Sequence, residues 1–512
     1  MSRVTAAALV GVDGTPVEVE VRISSQLPRV DIVGLPEAAV RESAARVRAA
    51  ITAAGHRFPD RRVTVNLAPA GVRKSGAGLD LPIAVGILAA EGQIEAETLV
   101  GRAFVGELAL DGRLRAVRGA LALALALRGA GIGELVIAGE SAREAALAEP
   151  LRVCAAATLG DVVGHLMGGD ALPAVDAPAL DAGGPDGAHA FGCLSEVRGQ
   201  RRARRALTIA AAGGHGLLMS GPPGAGKTML ARRLPGLLPP LERDEAIEAT
   251  RVHGASGLLD ASAPVVAQRP FRSPHHSASA AGMLGGGNPL RPGEVSLAHA
   301  GVLFLDELPE FDRRVLEALR EVLEEGQVRI ARATGRALFP ARCQLVAACN
   351  PCPCGWYHSG QRDCRCDDGA LARYARRLSG PLLDRIDLQI ELQPVAWRDL
   401  DTPAAGESSA HVRSRVIAAR RRQRARGVRT NALLPDRSLD ELVRATPEAR
   451  ALLGRAVEGL GLSARAARRA LRVARTCADL EGEREVAAPA MGEALGYRQA
   501  FGPGGGAGRN GA

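Results

Sequence analysis

Apolar positions follow three different rhythms along the chain, and each rhythm keeps to its own stretch. Near the start, Val17, Val19, Val21 and Ile23 alternate with polar residues after Asp13-Gly14, which predicts a β-hairpin with the preceding apolar run and argues against a cleaved leader. Alternation returns from Arg62 to Leu67, an apolar strand follows from Glu134 to Ile137, and helical runs lie between, so an α+β domain is expected. The apolar repeat from Ala120 to Leu127 is bracketed by Arg118 and Arg128 and reads as a buried helix. No stretch reaches the roughly 18 to 20 apolar residues of a membrane span, so no membrane partner is expected.

A Pro/Ala/Gly/Asp stretch over 168–190 has neither period and reads as a linker. Beyond it, continuous apolar runs separate amphipathic helices: Gly216 to Ser220, Gly301 to Asp306 and Gln344 to Cys349. That is the pattern of a buried parallel sheet. From about Val395 the chain reads as helical, with a turn between Gly427 and Pro435 and a Gly-rich tail over 501–512 that buries too little to fold. The expected organisation is a multidomain α/β protein: an α+β domain at 1–167, the linker, a parallel-sheet core at 191–394, a helical domain at 395–500 and the tail.

Composition adds three points. A net charge of +9 and a pI near 9.5 suit a polyanionic partner or a merely solvated basic surface. Nine cysteines, an odd number concentrated in one segment, point to a reducing compartment and a cytoplasmic location. Sixty-three arginines stand against two lysines, Lys74 and Lys227. Arginine replaces lysine at most surface positions, but a planar guanidinium is too wide to fit under the bent backbone of a phosphate loop.

Lys227 sits in such a loop, Gly221-Pro222-Pro223-Gly224-Ala225-Gly226-Lys227-Thr228, between an apolar strand and an amphipathic helix. Its glycines let backbone N–H groups turn toward the phosphates of ATP, Lys227 bridges the β- and γ-phosphates, and Thr228 ligates Mg²⁺. A second apolar strand ends in Asp306-Glu307, one carboxylate for the Mg²⁺ shell and one to polarise the attacking water. A third ends at Asn350, whose amide can orient that water.

In this order the motifs resemble the Walker A, Walker B and sensor-1 elements of AAA+ ATPases. By that resemblance Arg385, in Leu378-Ser379-Gly380-Pro381-Leu382-Leu383-Asp384-Arg385-Ile386-Asp387, matches the arginine finger that enters a neighbouring subunit's site, which implies a homo-hexameric ring. The alternative is an ion pair with Asp384 or Asp387. Arg465, after Ser463-Ala464, matches sensor 2 of the helical lid, with Arg468, Arg469 and Arg472 as alternatives.

Arg269-Pro270-Phe271-Arg272-Ser273-Pro274-His275-His276-Ser277, Gly285-Gly286-Gly287-Asn288 and Pro292 to His299 closely resemble the insertion of magnesium-chelatase-type AAA+ proteins. The two adjacent histidines point apart by sequence reasoning, which favours a structural or pore-loop role over metal ligation. In the first domain, Asn66 to Ala84 and Gly106 to Leu114 look like the Lon-protease fold, a ribosomal S5 domain 2-like architecture. Motif alignment puts Gly78 and Ala122 where that family carries its serine and lysine, so the dyad is missing. Together these features resemble the YifB/ComM family over nearly the whole chain. The resemblance implies a hexameric ATPase that acts as a DNA helicase, driving branch migration on single-stranded or branched DNA in natural transformation. A metal-chelatase motor subunit, an ATP-dependent protease factor and a non-enzymatic scaffold are the rival readings.

Cys352, Cys354, Cys364 and Cys366 follow Asn350 and can present four thiolates to Zn²⁺, or remain reduced thiols. Cys343, Cys349 and His358 are spare ligands. Between Ser408 and Pro435 there is no acid, yet Arg413, Arg415, Arg420, Arg421, Arg422, Arg424, Arg426 and Arg429 all occur. Contact with a polyanion is the expectation for this run, with Arg201, Arg202, Arg204 and Arg205 as further candidates.

Overall fold

The first alternating segment does form a hairpin, with β1 (Ser2–Val10) antiparallel to β2 (Asp13–Ser24) in a computed structural model of the chain. Its turn is Gly11-Val12 and not Asp13-Gly14, since Asp13 already pairs with Val10 and Gly11 takes the left-handed φ of 66°. The structure describes residues 1–71, 74, 76, 78–179, 191–259, 261–332, 335–377, 383, 385–395, 397, 401 and 406–498. Outside them lie the second half of the expected linker (180–190), the tail (501–512), residues 378–382 and 384 before the expected arginine finger, and 72, 73, 75 and 77 of the glycine-rich loop.

β3 (Arg29–Val33), β4 (Arg62–Ala68), β5 (Arg102–Val105), β6 (Glu134–Ala138) and β7 (Arg152–Ala156) join the hairpin in a mixed sheet of order β3-β4-β2-β1-β5-β6-β7. Strand alternation divides its apolar residues between two layers. Ala6 and Val19 pack with Leu81 and Ile87 of α1 (Asp80–Ala90), while Ala7, Val105 and Ile137 pack with Leu123 and Leu127 of α2 (Ala120–Gly129). α3 (Gly139–Ala145) lies beside α2. Part of the expected linker belongs to this domain, because Val175 N donates to Val153 O (2.9 Å) and Leu172 is buried.

The central domain is a five-stranded sheet, parallel throughout. Its chain order is α4 (Arg201–Gly213), β8 (Leu217–Ser220), α5 (Lys227–Leu237), α6 (Arg243–Ser256), β9 (Phe271–Arg272), β10 (Val302–Leu305) and α7 (Arg313–Glu325). An antiparallel hairpin, β11 (Gln327–Arg332) with β12 (Gly335–Pro340), precedes β13 (Gln344–Cys349), α8 (Asp368–Arg377) and β14 (Leu388–Glu391). The sheet order β9-β10-β13-β8-β14 puts the phosphate-loop strand between β13 and β14. The three strand ends that carry the motifs, those of β8, β10 and β13, therefore open on one edge.

The C-terminal part is helical as expected: α9 (Ser409–Ala425), α10 (Pro447–Leu460), α11 (Ala464–Glu481) and α12 (Ala488–Gly496). Buried His215, just before β8, ties it to the sheet, with Nδ1 2.9 Å from Asp387 Oδ2 and Nε2 2.7 Å from Thr476 Oγ1. Burial raises the Asp387 carboxyl, but His215 and Arg469 outweigh it and hold the group down to about 2.

Candidate nucleotide site

The loop between β8 and α5 needs glycine at two places, because Gly224 (φ 78°) and Gly226 (φ 88°) occupy the left-handed region. That geometry starts α5 directly at Lys227. The Lys227 ammonium is held under the loop, donating to Gly221 O (2.6 Å), Pro222 O (3.1 Å) and Asn350 Oδ1 (2.9 Å). Burial lowers its pKa, opposed by the nearby carboxylates of Asp306 and Glu307. Thr228 Oγ1 donates to Asp306 Oδ2 at 2.7 Å. Asn350 is fixed from behind as well, since Tyr374 OH donates to its carbonyl at 3.1 Å. The structure thus brings Lys227, Thr228, Asp306 and Asn350 together at the carboxyl ends of β8, β10 and β13, where open parallel sheets bind their ligands.

Glu307 is exposed and left-handed (φ 53°), and its Oε2 lies 3.1 Å from Nδ1 of His276. His276 was legible only as half of a histidine pair. The expectation that the two rings diverge is corrected: their centroids lie 4.1 Å apart, because His275 folds back to within 2.8 Å of Ser277 Oγ. Neither belongs to a metal-ligating cluster among the described residues.

Arg385 lies at the other end of the sheet. It precedes Leu388, whose register partner is Leu217 at the start of β8, a full strand length away from the phosphate loop. Its side chain is 5% exposed and pairs with Glu324 of α7. Burial, then the like charges of Arg320, Arg465 and Arg469, lower its pKa. Asp387 serves His215 and Arg469. Arg465, in the first turn of α11, sits near Arg385. Of the four sensor-2 candidates it has no hydrogen bond or ion pair among the described residues, whereas Arg468 and Arg472 hold Asp436 and Arg469 holds Asp387.

Much of the basic run is engaged within the chain, while Arg421, Arg422, Arg424 and Arg429 keep exposed side chains. Acids distant in sequence reach it: Arg415 pairs with Glu407 and Glu481, Arg424 with Glu242, Arg429 with Glu245, and Arg426 with Asp479. Arg420 donates to Ala211 O (2.6 Å) and Arg422 to Asp479 O (2.7 Å). Arg202 and Arg205 are also engaged, on Gly496 O and on Glu493. Exposed Arg332 and Arg336 on the β11–β12 hairpin were not singled out by sequence.

The cysteines do gather. Cys352 Sγ lies 3.3 Å from Cys354 Sγ and 3.7 Å from Cys364 Sγ, and with Cys366 all four sulfurs fall within 4.8 Å of one another. Cys343, Cys349 and His358 stand outside the group. In the first domain, Gly78 and Ala122 present no nucleophile or base. Lys74 is fully buried and donates to Gly34 O (3.0 Å), Leu67 O (2.9 Å) and Pro69 O, so its role there is to tie β3, β4 and the following loop.

Comparison with known proteins agrees along the whole chain. Residues 193–400 match the family described as magnesium chelatase, subunit ChlI; residues 19–141 match subunit ChlI of Mg-chelatase; residues 406–498 match its C-terminal family. Competence protein ComM of Haemophilus influenzae is 46% identical over 495 residues, 96% of each chain. The YifB proteins of Salmonella typhimurium and Escherichia coli are 46% and 44% identical, over 96% and 97% of each chain. The chain belongs to the YifB/ComM family. Magnesium-chelatase-like proteins of this family are of the AAA+ ATPase type, and the YifB/ComM relatives cover the first domain, the parallel sheet and the helical C-terminal part together.

Proposed function

We propose that this chain is an Mg²⁺-dependent ATPase that works as a homo-hexameric ring on DNA, as a helicase or branch-migration motor in recombination or natural transformation. The observation that carries the ATPase reading is the convergence of Lys227 on Asn350 and of Thr228 on Asp306. With nucleotide bound, phosphate oxygens would replace the carbonyls now held by Lys227, and Thr228 and Asp306 are the residues that would hold Mg²⁺, which would neutralise phosphate charge. Glu307 then takes a proton from the attacking water, while Asn350 fixes the water's position. Arg385, once released from its pair with Glu324, would supply positive charge to the next subunit's γ-phosphate, since it lies at the far end of the sheet from its own loop, and Arg465 would join it from the same end.

DNA as the substrate rests on kinship with a relative named as a competence protein and on the exposed arginines of the β11–β12 hairpin. The nine cysteines, all free thiols, suit the reducing cytoplasm. A Lon-like scaffold without its dyad remains our reading of the first domain. The test is ATPase rate with single-stranded, duplex and three-stranded branched DNA, in Mg²⁺ and at several salt concentrations. Stimulation and strand exchange on branched DNA, both falling steeply with salt, are expected. Turnover indifferent to every DNA would favour the chelatase-type motor that the matched family descriptions suggest.

A further inference from the structure

We propose that Cys352, Cys354, Cys364 and Cys366 hold one zinc ion, and that the metal-closed loop braces the nucleotide site through Asn350 and Pro223. The brace rests on the nucleotide reading of Lys227; the metal site does not.

The sulfur spacing fits. Four ligands at about 2.3 Å from a tetrahedral ion lie about 3.8 Å apart, and three of the sulfur pairs measure 3.3, 3.6 and 3.7 Å. Backbone N–H groups converge on the sulfurs as they do around metal thiolates: Tyr357 N lies 3.3 Å from Cys352 Sγ. Four cysteines from two C-x-C pairs, twelve residues apart in chain, meet only because the intervening loop closes. With no disulfide among them, a shared ion is what holds the two pairs together.

The closed loop leans on the phosphate loop. Cys352 follows two residues after Asn350, the acceptor of the Lys227 ammonium. Gly355 closes the first turn, with its N–H on Cys352 O (3.0 Å) and φ at 86°. A methyl group added there would lie 2.7 Å from Pro223 Cδ, so the backbone of the cysteine turn touches the phosphate loop directly. Tyr374, just after the second cysteine pair, grips Asn350 O. Metal occupancy therefore fixes the position of Asn350 and the shape of the loop over the phosphates.

Full-length protein purified under reducing conditions is expected to carry about one zinc per chain by mass spectrometry of the metal; a metal-free chain overturns the site. Stripping zinc with TPEN, which leaves Mg²⁺ in solution, is expected to weaken binding of a fluorescent ATP analogue by about tenfold or more, with recovery on adding back Zn²⁺. Gly355→Ala crowds Pro223 and strains the turn at φ 86°, so it should lose nucleotide affinity even when its zinc content, measured alongside, is retained. Zinc present, with affinity unchanged by both treatments, overturns the brace and leaves the metal site standing. A zinc-loaded wild-type chain that binds no nucleotide overturns the nucleotide reading, and the brace with it.

Discussion

His276 Nδ1 lies 3.1 Å from Glu307 Oε2, so the carboxylate proposed to polarise water is held by the segment that resembles the chelatase-type insertion. A partly exposed pair of this kind is worth up to about 1 kcal/mol, or about fivefold in population. His276→Ala is expected to raise ATPase turnover without DNA by up to about that factor, to reduce the further stimulation by DNA, and to leave KM for ATP unchanged. Steady-state kinetics with and without DNA check it. An unaltered stimulation ratio would make the contact incidental.

Lys227 and Arg385 lie at opposite ends of one parallel sheet, so in the proposed ring each subunit would contribute half of two different sites. Lys227→Ala and Arg385→Ala are each expected to abolish turnover, with nucleotide binding lost only in the first. Mixing the two variants should restore part of the activity, because some interfaces then pair an intact Lys227 with an intact Arg385. Mixtures as inactive as their components would contradict a site shared between subunits.

Arg426 partners Asp479, whose carboxylate is fully buried and also takes Asn431 Nδ2 at 2.8 Å. Removing one member of a wholly buried pair costs about 3 to 5 kcal/mol, and since Arg475 still faces Asp479 at 3.2 Å the loss here should fall below that range. Arg426→Ala should therefore lower the unfolding midpoint strongly in a thermal melt, whereas Arg421→Ala, exposed, should change stability by less than about 0.5 kcal/mol and leave the midpoint nearly unmoved. Equal effects would refute the structural assignment of the run.

Glu144 of α3 is buried against Gly254 of α6, where an added methyl would lie 2.4 Å from its Oε1. Burial pushes its carboxyl up to about 7, opposed only by the Leu121 N–H. Between its ordinary value of 4.5 and about 7 the folded chain keeps a proton that the unfolded chain releases, so this group's contribution to stability falls as pH rises through that window. The charged form costs on the order of 3 kcal/mol above pH 7. Glu144→Gln should raise the melting temperature at pH 8 by several degrees, and the gain should vanish near pH 4.5.

The phosphate loop, the acidic strand end and Asn350 were legible because each follows a continuous apolar strand, and a parallel sheet puts such ends on one edge. The first hairpin was legible in its alternation but not in its turn, since Asp13-Gly14 has turn chemistry yet Gly11 takes the left-handed backbone. Charge counting failed for Arg415, Arg424, Arg426 and Arg429, because the neutralising acids Glu481, Glu242, Asp479 and Glu245 arrive from other helices. His276 meets Glu307 across the β9–β10 pairing, a relation between residues that no local pattern encodes.

Both ammonium side chains of the protein are interior: Lys74 under three carbonyls and Lys227 under the phosphate loop. Amine-directed chemistry thus meets a surface with almost nothing to react with besides the amino terminus. An acylating reagent should leave the folded chain nearly unlabelled, and a lysine-specific protease should leave it uncut. Arginine carries the whole outer positive charge, so solubility and contact with anions are insensitive to any modification that acts on amines.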